Sequence, residues 1–170
     1  MSAAEVTIRP TTPADAPAIL AVHLAAASNG GGLAREPDEM SLEGIEAALA
    51  RPLEDGVALM ACIDGRPAGE IHASRYAPRQ FAHNLTDLTV AVHPEFQGRG
   101  VGAALFNALF AEASKMAPPI ERIELLCREG NAGAFALYQR LGFILEGRFT
   151  RRVRLKDGTV EDDLAMAKLL

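Results

Sequence analysis

Three glycines crowd a short loop near the middle of the chain, in the segment Gln97-Gly98-Arg99-Gly100-Val101-Gly102. The apolar run 88–92 precedes this loop, and a long helical pattern follows it directly. Glycines leave backbone N–H groups unobstructed, and the start of a helix adds unpaired donors and the positive end of its dipole. The combination predicts an anion site that suits a pyrophosphate, with Arg99 as an additional charged donor. A tight turn without a ligand is the alternative interpretation.

The spacing of these glycines argues against two other kinds of phosphate loop. No Gly-Lys-Ser/Thr sequence follows them, so a nucleoside-triphosphate loop is unsupported. The glycines also do not follow the pattern G-x-G-x-x-G, and their strand does not open an N-terminal β-α-β unit. A dinucleotide-binding fold is therefore not indicated.

Hydrophobic periodicity and turn residues place the loop inside a single α/β (α+β) domain that covers residues 1–170. Apolar runs predict strands over residues 5–9, 57–64, 67–76, 85–92, 120–127, 143–155 and 159–169. A first helix opens at Thr12, carries His23 at helical spacing and ends at the glycines 30–32; a second starts at Ser41 and stops before Pro52. Two further helices are predicted over residues 101–116 and 131–141. The order β-αα-ββ-β-α-β-α-ββ predicts a central mixed, mostly antiparallel sheet flanked by about four helices.

Composition narrows the classes of function. The formal net charge of -5 gives no support for a nucleic-acid partner, and it favours a cationic amine only weakly. The N-terminus lacks the basic and apolar segments of a signal peptide, and no apolar run approaches about 18 residues, so we expect a cytoplasmic protein without a membrane partner. Cys62 and Cys127 lie in apolar runs and are expected to be small buried side chains. Four scattered histidines with no ligand spacing predict no metal site.

Two sequence blocks carry a resemblance to a known family. The pattern Val90-x-Val92-x-Pro94, followed by Gln97-x-x-Gly100-x-Gly102, resembles the phosphate-binding motif of the GNAT (Gcn-related N-acetyltransferase) superfamily. The segment 131–143, NAGAFALYQRLGF, is similar to that family's other conserved block, and the predicted element order is similar to its fold from end to end. The run from His83 to the C-terminus also resembles small bacterial single-domain members that act on small amines or amino acids.

The resemblance implies that acetyl-CoA is the cosubstrate. It implies that Val90, Ala91 and Val92 expose backbone groups where two strands splay apart, so that the pantetheine arm lies there like an added strand. It assigns the pyrophosphate to the backbone of Gln97, Gly98, Arg99, Gly100, Val101 and Gly102. It also implies that Asn131 contacts the pantetheine, while a helix N-cap is the compatible structural alternative for the same residue.

Tyr138 in the second block is the candidate general acid. Attack of an amine on a thioester expels a thiolate, which is stabilised when an acid protonates the sulfur or donates a hydrogen bond to it. A phenol with an ordinary pKa of about 10 is matched to a thiol and stays protonated at neutral pH. The alternative is a packed helix residue beside Leu137 and Leu141.

The proton acceptor is not obvious from the sequence. Thr86 and Leu126 stand where two well-known branches of the family carry a glutamate, and neither side chain can accept a proton usefully. Candidates by strand position are Asp87 and Glu70, with His72, His83 and an ordered water as further alternatives; for each carboxylate, a solvated or ion-paired strand residue is the competing interpretation. His83 is also expected to border the amine pocket, unless it is an ordinary surface histidine.

The predicted reaction is direct transfer of acetyl from acetyl-CoA to a primary amine of a small molecule, such as an amino acid or polyamine, in a ternary complex. The alternative enzymatic activity is protein N-terminal or lysine acetylation. The alternative without catalysis is a sensor that only binds acyl-CoA. The C-terminal strands of this family often form dimer contacts, so the resemblance also implies a homodimer.

Overall fold

The computed structural model describes residues 5–30 and 32–170; residues 1–4 and Gly31, one of the glycines predicted to end the first helix, lie outside the described residues. Within them, seven strands form one sheet in the order β1-β2-β3-β4-β5-β7-β6. Their bounds are β1 Val6–Pro10, β2 Gly56–Ile63, β3 Arg66–Arg75, β4 Asn84–Val92, β5 Arg122–Arg128, β6 Ile144–Arg154 and β7 Val160–Leu169. The predicted element order and the mostly antiparallel mixed sheet are confirmed.

Four α-helices accompany this sheet in the described residues: α1 Ala16–Ser28, α2 Leu42–Asp55, α3 Val101–Ala113 and α4 Ala132–Arg140. Local chemistry fixes where two of them start. The Ser41 hydroxyl accepts the Gly44 N–H at 3.0 Å, and the Asn131 side chain accepts the Ala134 N–H at 3.3 Å. Both residues are N-caps, because each satisfies a backbone donor that the first turn of its helix leaves unpaired. None of these described helices has the length and apolar character needed to cross a membrane.

The sequence prediction that the second helix stops before Pro52 is wrong. Helix α2 continues to Asp55, and Pro52 lies inside it on the same buried face as Ile45 and Leu49. Proline removes one backbone donor and crowds the preceding turn, but near the end of a helix it interrupts few bonds. Burial of its ring against the sheet offsets that loss. Helix α3 is also one turn shorter than predicted, since it ends at Ala113 rather than at residue 116.

The two faces of the sheet have different covers. Helix α3 and the apolar side of α4 pack on one face with the main core, which includes the fully buried Ile71, Leu105 and Phe106. Helices α1 and α2 pack on the other face, where Ala91 of β4 contacts the α1 core. Successive strand residues point to opposite faces, so β4 presents Val90 and Val92 toward the α3 side and Ala91 toward the α1 side.

One break in the sheet creates the main cleft. Strands β4 and β5 are parallel and pair at only two positions, Asn84 with Arg122 and Leu85 with Ile123. Beyond these pairs the two strands separate, while β5 stays paired with β7 over its whole length. The part of β4 from Thr86 onward therefore has no strand neighbour on its β5 side, and its backbone groups there line an opening.

Candidate active site

The glycine-rich loop between β4 and α3 adopts a conformation that requires glycine. Gly98 and Gly100 have φ angles of 73° and 78°, in the left-handed region that side-chain-bearing residues rarely adopt. A Cβ atom at either position would meet no atom within 4 Å. The glycines are thus needed for the backbone path, and the space beside them is open.

The loop leaves a row of backbone donors unpaired. Among the described residues, no acceptor is hydrogen-bonded to the amide N–H groups of residues 98–103, and the next one, from Ala104, donates to Gly100 O at 3.0 Å. The last three of these six donors belong to the first turn of the 13-residue helix α3, where the helix dipole favours negative charge. An anion with several oxygens, such as a pyrophosphate, is the ligand that this arrangement fits.

Two arginines flank the loop. The guanidinium carbons of Arg66 and Arg99 lie 5.1 and 5.5 Å from the centre of the buried Phe96 ring. Arg66 pairs with Glu95 at 2.7 Å, whereas the ion pairs of the described residues include none to Arg99. The positive charge of Arg99 is therefore available at the loop.

A cavity of about 560 Å³ follows the opening between β4 and β5. Its lining includes Val90 and neighbouring β4 residues, Leu125 and Leu126 of β5, and Tyr138 of α4. At the loop end of the cleft, Gln97 Nε2 is 3.5 Å from the carbonyl oxygen of Val92. The structure thus brings Val90 and Tyr138 to one cleft and the loop 97–102 to the end of strand β4.

Tyr138 lies in an apolar setting at the wall of this cavity. Only 8% of the residue is exposed, and its ring packs edge-on against Phe106 with centroids 5.5 Å apart. The hydrogen bonds of the described residues include none to its hydroxyl. Burial raises the pKa of Tyr138 well above its ordinary value, with a smaller contribution from Cys127. The phenol is therefore a protonated donor throughout the neutral range.

Asn131 does not line the cavity, and its side chain caps α4 as described above. Its amide nitrogen is close to Gly32: a Cβ built at Gly32 would lie 2.1 Å from Asn131 Nδ2. His83 also stands away from the cavity. Its carbonyl oxygen accepts the N–H groups of Glu121 and Arg122, and its ring nitrogen is 3.4 Å from Asn84 Nδ2. The roles assigned to Asn131 and His83 from sequence stay predictions.

Asp87 lines the outer part of the cavity in an unusual backbone conformation. Its φ angle is 53°, and the β3–β4 register shifts beside it. A β-bulge at this point turns the side chain outward, and 72% of it is exposed, with Arg51 Nη1 at 3.9 Å from its carboxylate. The structure therefore keeps Asp87 at the rim, with solvent and an arginine as neighbours.

Glu70 occupies the opposite environment. It is fully buried on β3, and each carboxylate oxygen contacts an imidazole: Oε1 faces His23 Nε2, and Oε2 faces His72 Nδ1 at 3.0 Å. Burial by itself raises the pKa of Glu70, but attraction to His72 and hydrogen bonds with both histidines bring it below the ordinary value. Glu70 is an ionised, fully partnered group that lines neither this cavity nor the smaller one beside it.

A second cavity of about 120 Å³ adjoins the first on the α1–α2 side of the sheet. The two cavities share Leu33, Ala34 and Thr89 in their linings, so they are adjacent, and together they are called the hollow below. His23 and His72 line the smaller part, and His72 is the direct cross-strand partner of Thr89. His23 stands in the apolar pattern of the first helix, so its polar role could not be recognised from the sequence.

Sequence reasoning did not identify several further polar residues that line the hollow. Arg35 and Glu39, from the segment before α2, line the smaller cavity. Arg152 on β6 lines the larger cavity. Its guanidinium carbon lies 4.6 Å from the centre of the Phe149 ring, and its Nε is 3.7 Å from Asp163 Oδ2. Their positions depend on how distant segments fold together, so spacing along the chain could not reveal them.

The two cysteines differ in burial, since Cys127 is buried as expected whereas Cys62 is only half-buried. Both cysteines are free, and burial together with Asp163 raises the pKa of Cys127, which keeps it a thiol. In residues 5–30 and 32–170, no group of three or more His, Cys, Asp or Glu side chains is arranged to hold a metal. In the Glu70 cluster each oxygen faces a ring nitrogen rather than a common centre.

Two curated proteins are similar to this chain. The L-amino acid N-acetyltransferase AaaT of Escherichia coli (strain K12) is 30% identical over 112 residues, which are 65% of this chain and 67% of that protein. The phosphinothricin N-acetyltransferase of Alcaligenes faecalis is 28% identical over 167 residues, which are 96% of this chain and 82% of that protein.

Solved structures share the fold over almost the whole chain. A ribosomal-protein-alanine N-acetyltransferase from Brucella melitensis is 28% identical, with a TM-score of 0.82, over 96% of this chain and 99% of that one. The acetyltransferase yncA from Salmonella typhimurium, solved with its cofactor acetyl-CoA, is 23% identical, with a TM-score of 0.82, over 97% of this chain and 94% of that one.

The match to a known family agrees with three features described above: the free amides of residues 98–103, the separation of β4 from β5, and the buried Tyr138. A family model described as the acetyltransferase (GNAT) family matches residues 22–143, which include β4, the glycine-rich loop, α3 and α4. The chain belongs to the acetyltransferase (GNAT) family.

Proposed function

We propose that this acyltransferase moves the acetyl group of acetyl-CoA to a primary amine of a small molecule by direct attack. The observation that carries the proposal is the row of six unpaired amides, residues 98–103, which follows β4, the strand whose unpaired edge lines the cavity beside Tyr138. A phosphate-binding loop and a protonated hydroxyl, joined by one open strand edge, suit a long phosphorylated thioester.

The residues present fit acetyl-CoA. The pyrophosphate would accept hydrogen bonds from the amides 98–103 with Arg99 nearby, and the pantetheine arm would lie along the unpaired edge of β4 at Val90, Ala91 and Val92. Bound acetyl-CoA supplies an activated acyl group whose leaving sulfur is a stable thiolate. The left-handed conformations of Gly98 and Gly100 allow the backbone path that leaves these donors free.

Tyr138 would act on the leaving sulfur. Its phenol stays protonated because its apolar surroundings disfavour the phenolate. A hydrogen bond from this hydroxyl stabilises negative charge on sulfur in a setting with little competing water. Cys127 is a buried thiol without an evident base, so an acyl-enzyme intermediate is not part of the proposal.

The acceptor we favour is an amine that also carries an anionic group. Arg152 and Arg35 line the hollow on the side away from the phosphate loop, and guanidinium groups bind carboxylates well. The name of the Escherichia coli relative, an L-amino acid N-acetyltransferase, supports the same class.

Protein N-terminal acetylation is the second candidate. It is favoured by the Brucella melitensis structure, whose name specifies a ribosomal-protein alanine. A further cavity of about 520 Å³, lined by Arg35, Arg128, Arg152 and Arg154 among others, extends from the main one and offers room for a larger acceptor.

A thiol-release screen tests the proposal. Purified protein is incubated with acetyl-CoA and a panel of amino acids, polyamines, aminoglycosides and peptides with free N-termini, and released coenzyme A thiol is measured. Amine-dependent release with amino acids is the expected result. Release with peptides only would support the second candidate, and binding of acetyl-CoA without release by any amine would favour a non-catalytic sensor.

We also propose a homodimer joined through β6, in a cytoplasmic protein. This strand is at the edge of the sheet and exposes Ile144, Leu145 and Phe149, which is unusual for a strand edge left to water. Light scattering coupled to gel filtration should give twice the chain mass of 18.1 kDa. A replacement of Leu145 by Lys should then give the monomer.

A further inference from the structure

We propose that His72 takes the proton from the acceptor amine and that Glu70 is the residue that positions its imidazole. The inference rests on the proposed function, since it names the base of that same site. An alkylammonium with a pKa of about 10 must lose a proton before its nitrogen can attack, so this reaction needs a proton acceptor beside the amine.

The hydrogen bonds of Glu70 determine the tautomer of His72. An ionised carboxylate accepts hydrogen bonds and donates none, so a neutral His72 must carry its hydrogen on Nδ1, the atom 3.0 Å from Glu70 Oε2. The other nitrogen, Nε2, then keeps a lone pair. No hydrogen bond among the described residues uses this Nε2, and His72 lines the smaller cavity. The ring is thus set to accept a proton from a group in that cavity.

His72 lies on the side from which an amine would approach. It is paired across the strands with Thr89, which belongs to both cavities, and both residues face α1 and α2 rather than the core around α3. An amine in the smaller cavity would thus lie between Nε2 of His72 and the opening in which the thioester is expected. A single water can complete the path where the direct distance is too long.

The neighbouring candidates are less suitable. Glu70 has both oxygens occupied and no exposed surface, so it cannot meet an amine. His23 uses its distal Nε2 for Glu70, which leaves only Nδ1, the nitrogen beside its own helix. Asp87 stands at the exposed rim near Arg51, and an ordinary carboxylate with a pKa of about 3.9 is a poorer match to an ammonium than an imidazole at about 6.5.

The protons balance in this scheme. The ammonium gives one proton to Nε2 of His72, and the freed lone pair forms the new C–N bond while the C–S bond breaks. The Tyr138 hydroxyl gives its proton to the leaving sulfur, the second proton of the nitrogen restores that hydroxyl by way of solvent, and His72 returns its own proton to solvent. The sum is R–NH3+ and acetyl thioester giving N-acetyl amine, thiol and one H+, with no oxidant or reductant.

Several charged groups surround His72 and will influence its protonation. Glu70 lies on its own strand, and His23 reaches the same carboxylate from α1. Arg35 and Glu39 line the smaller cavity from the segment before α2. Asp87 on β4, with Arg51 from α2, stands farther out at the rim of the larger cavity. Of these groups, only Glu70 is hydrogen-bonded to the His72 ring, so it is the one to alter.

The test combines two variants with a readout that does not depend on turnover. His72→Asn retains an amide that can donate to Glu70 but has no nitrogen base, and Glu70→Gln removes the negative charge while keeping the shape. The nitrogen resonances of the histidines, only four in the chain, are followed by NMR against pH in the full-length protein labelled at histidine. The pH dependence of kcat/KM is measured with the best amine of the screen.

The expected results are specific. At pH 8 His72 should show a protonated Nδ1 and a bare Nε2. His72→Asn should bind acetyl-CoA as the unaltered protein does but lose roughly 10²- to 10⁴-fold in kcat/KM, together with the low-pH limb of its profile. Glu70→Gln should lower kcat/KM and let a second His72 tautomer appear, with hydrogen on Nε2, because an uncharged amide can donate to Nδ1 as well as accept from it. The limb due to the amine itself lies at higher pH and should remain.

Three results would overturn the inference. One is a proton on Nε2 at pH 8, which is decisive even if no acceptor has been found. Another is a folded His72→Asn variant with kcat/KM within threefold of the unaltered protein. The third is loss of the low-pH limb in Asp87→Asn but not in His72→Asn. An unaltered protein that acetylates no amine would instead reject the proposed function, and the tautomer measurement would still decide the geometry of His72.

Discussion

The loop 97–103 and the hollow around His72 represent two ways of building a binding site. The loop uses backbone amides from one continuous segment, with glycine conformations at Gly98 and Gly100 that follow from residue type. The hollow uses side chains from α1, β3, β4, β6 and the segment before α2, and its central contact is a buried glutamate between two histidines. A site built from backbone amides can stay the same when side chains are substituted, whereas a site built from side chains changes with them.

This difference explains why the phosphate end is recognisable and the acceptor end is not. A sequence that keeps the turn and the helix start keeps the free amides that we propose bind phosphate, whatever the acceptor. The proposed acceptor site depends on Arg35, Glu39 and Arg152, which come from separate segments that meet only in the folded chain. Substitutions in one site and in the other should therefore affect different measurable quantities.

Tyr138 should matter for turnover and not for binding. Tyr138→Phe removes one hydroxyl from a ring that is already packed in the core, so we expect kcat to fall roughly 100-fold, about 2.7 kcal/mol in the barrier. The Kd for acetyl-CoA, measured by calorimetry, should stay within twofold. Tyr76→Phe is the matched control, because Tyr76 is the other tyrosine of the chain and lines neither cavity. An unchanged kcat in Tyr138→Phe would remove the phenol from the mechanism.

The loop should respond to loss of its glycine conformation. Gly100→Val places a branched side chain at φ 78°, so the N–H groups of the loop can no longer all point at one anion. The Kd for acetyl-CoA should rise about 30-fold, or about 2 kcal/mol. Gly158→Val is the control, since Gly158 has φ 88° and equally open space but lies in the β6–β7 turn. Equal Kd values for the two variants would contradict the anion site.

The stability of the side-chain site should depend on Glu70. Its folded pKa is depressed below the ordinary value of 4.5, so its ionised form contributes stability that is present above about pH 4.5 and is lost as the pH falls through the folded value. Glu70→Gln should lower the free energy of unfolding by about 1.5 kcal/mol at pH 7, by urea denaturation. This decrease in the free energy of unfolding should become smaller in acid. A decrease that grows as the pH falls would contradict the predicted pH dependence.

Arg152 should influence which acceptor is used, with a smaller effect than the three substitutions above. Arg152→Gln should raise KM about fivefold for an amino acid and leave KM unchanged for its methyl ester, because the ester lacks the anionic oxygen that a guanidinium binds. Steady-state thiol release with the two acceptors checks this. A similar rise for both compounds would indicate that Arg152 shapes the hollow without binding the carboxylate.

The sequence could predict what is encoded locally. Strand and helix order, the glycine-rich loop and the N-cap at Asn131 follow from spacing and residue type, whereas Tyr138 is singled out by its place in the block that resembles the GNAT family. The continuation of α2 through Pro52 could not be predicted, because burial of the ring against the sheet decides it. The partnership of His23 with Glu70 joins residues 47 positions apart, and the outward turn of Asp87 depends on a bulge between two strands.

We propose that the unpaired amides at the start of α3 hold the phosphates of acetyl-CoA. Titration of acetyl-CoA into nitrogen-15-labelled protein, followed by NMR of the backbone amides, can test this proposal. The resonances of residues 98–103 should shift most strongly and gain protection from exchange, while Gly158, in the turn between β6 and β7, should be unaffected. Saturable binding that leaves residues 98–103 unchanged, or no binding at all, would contradict it.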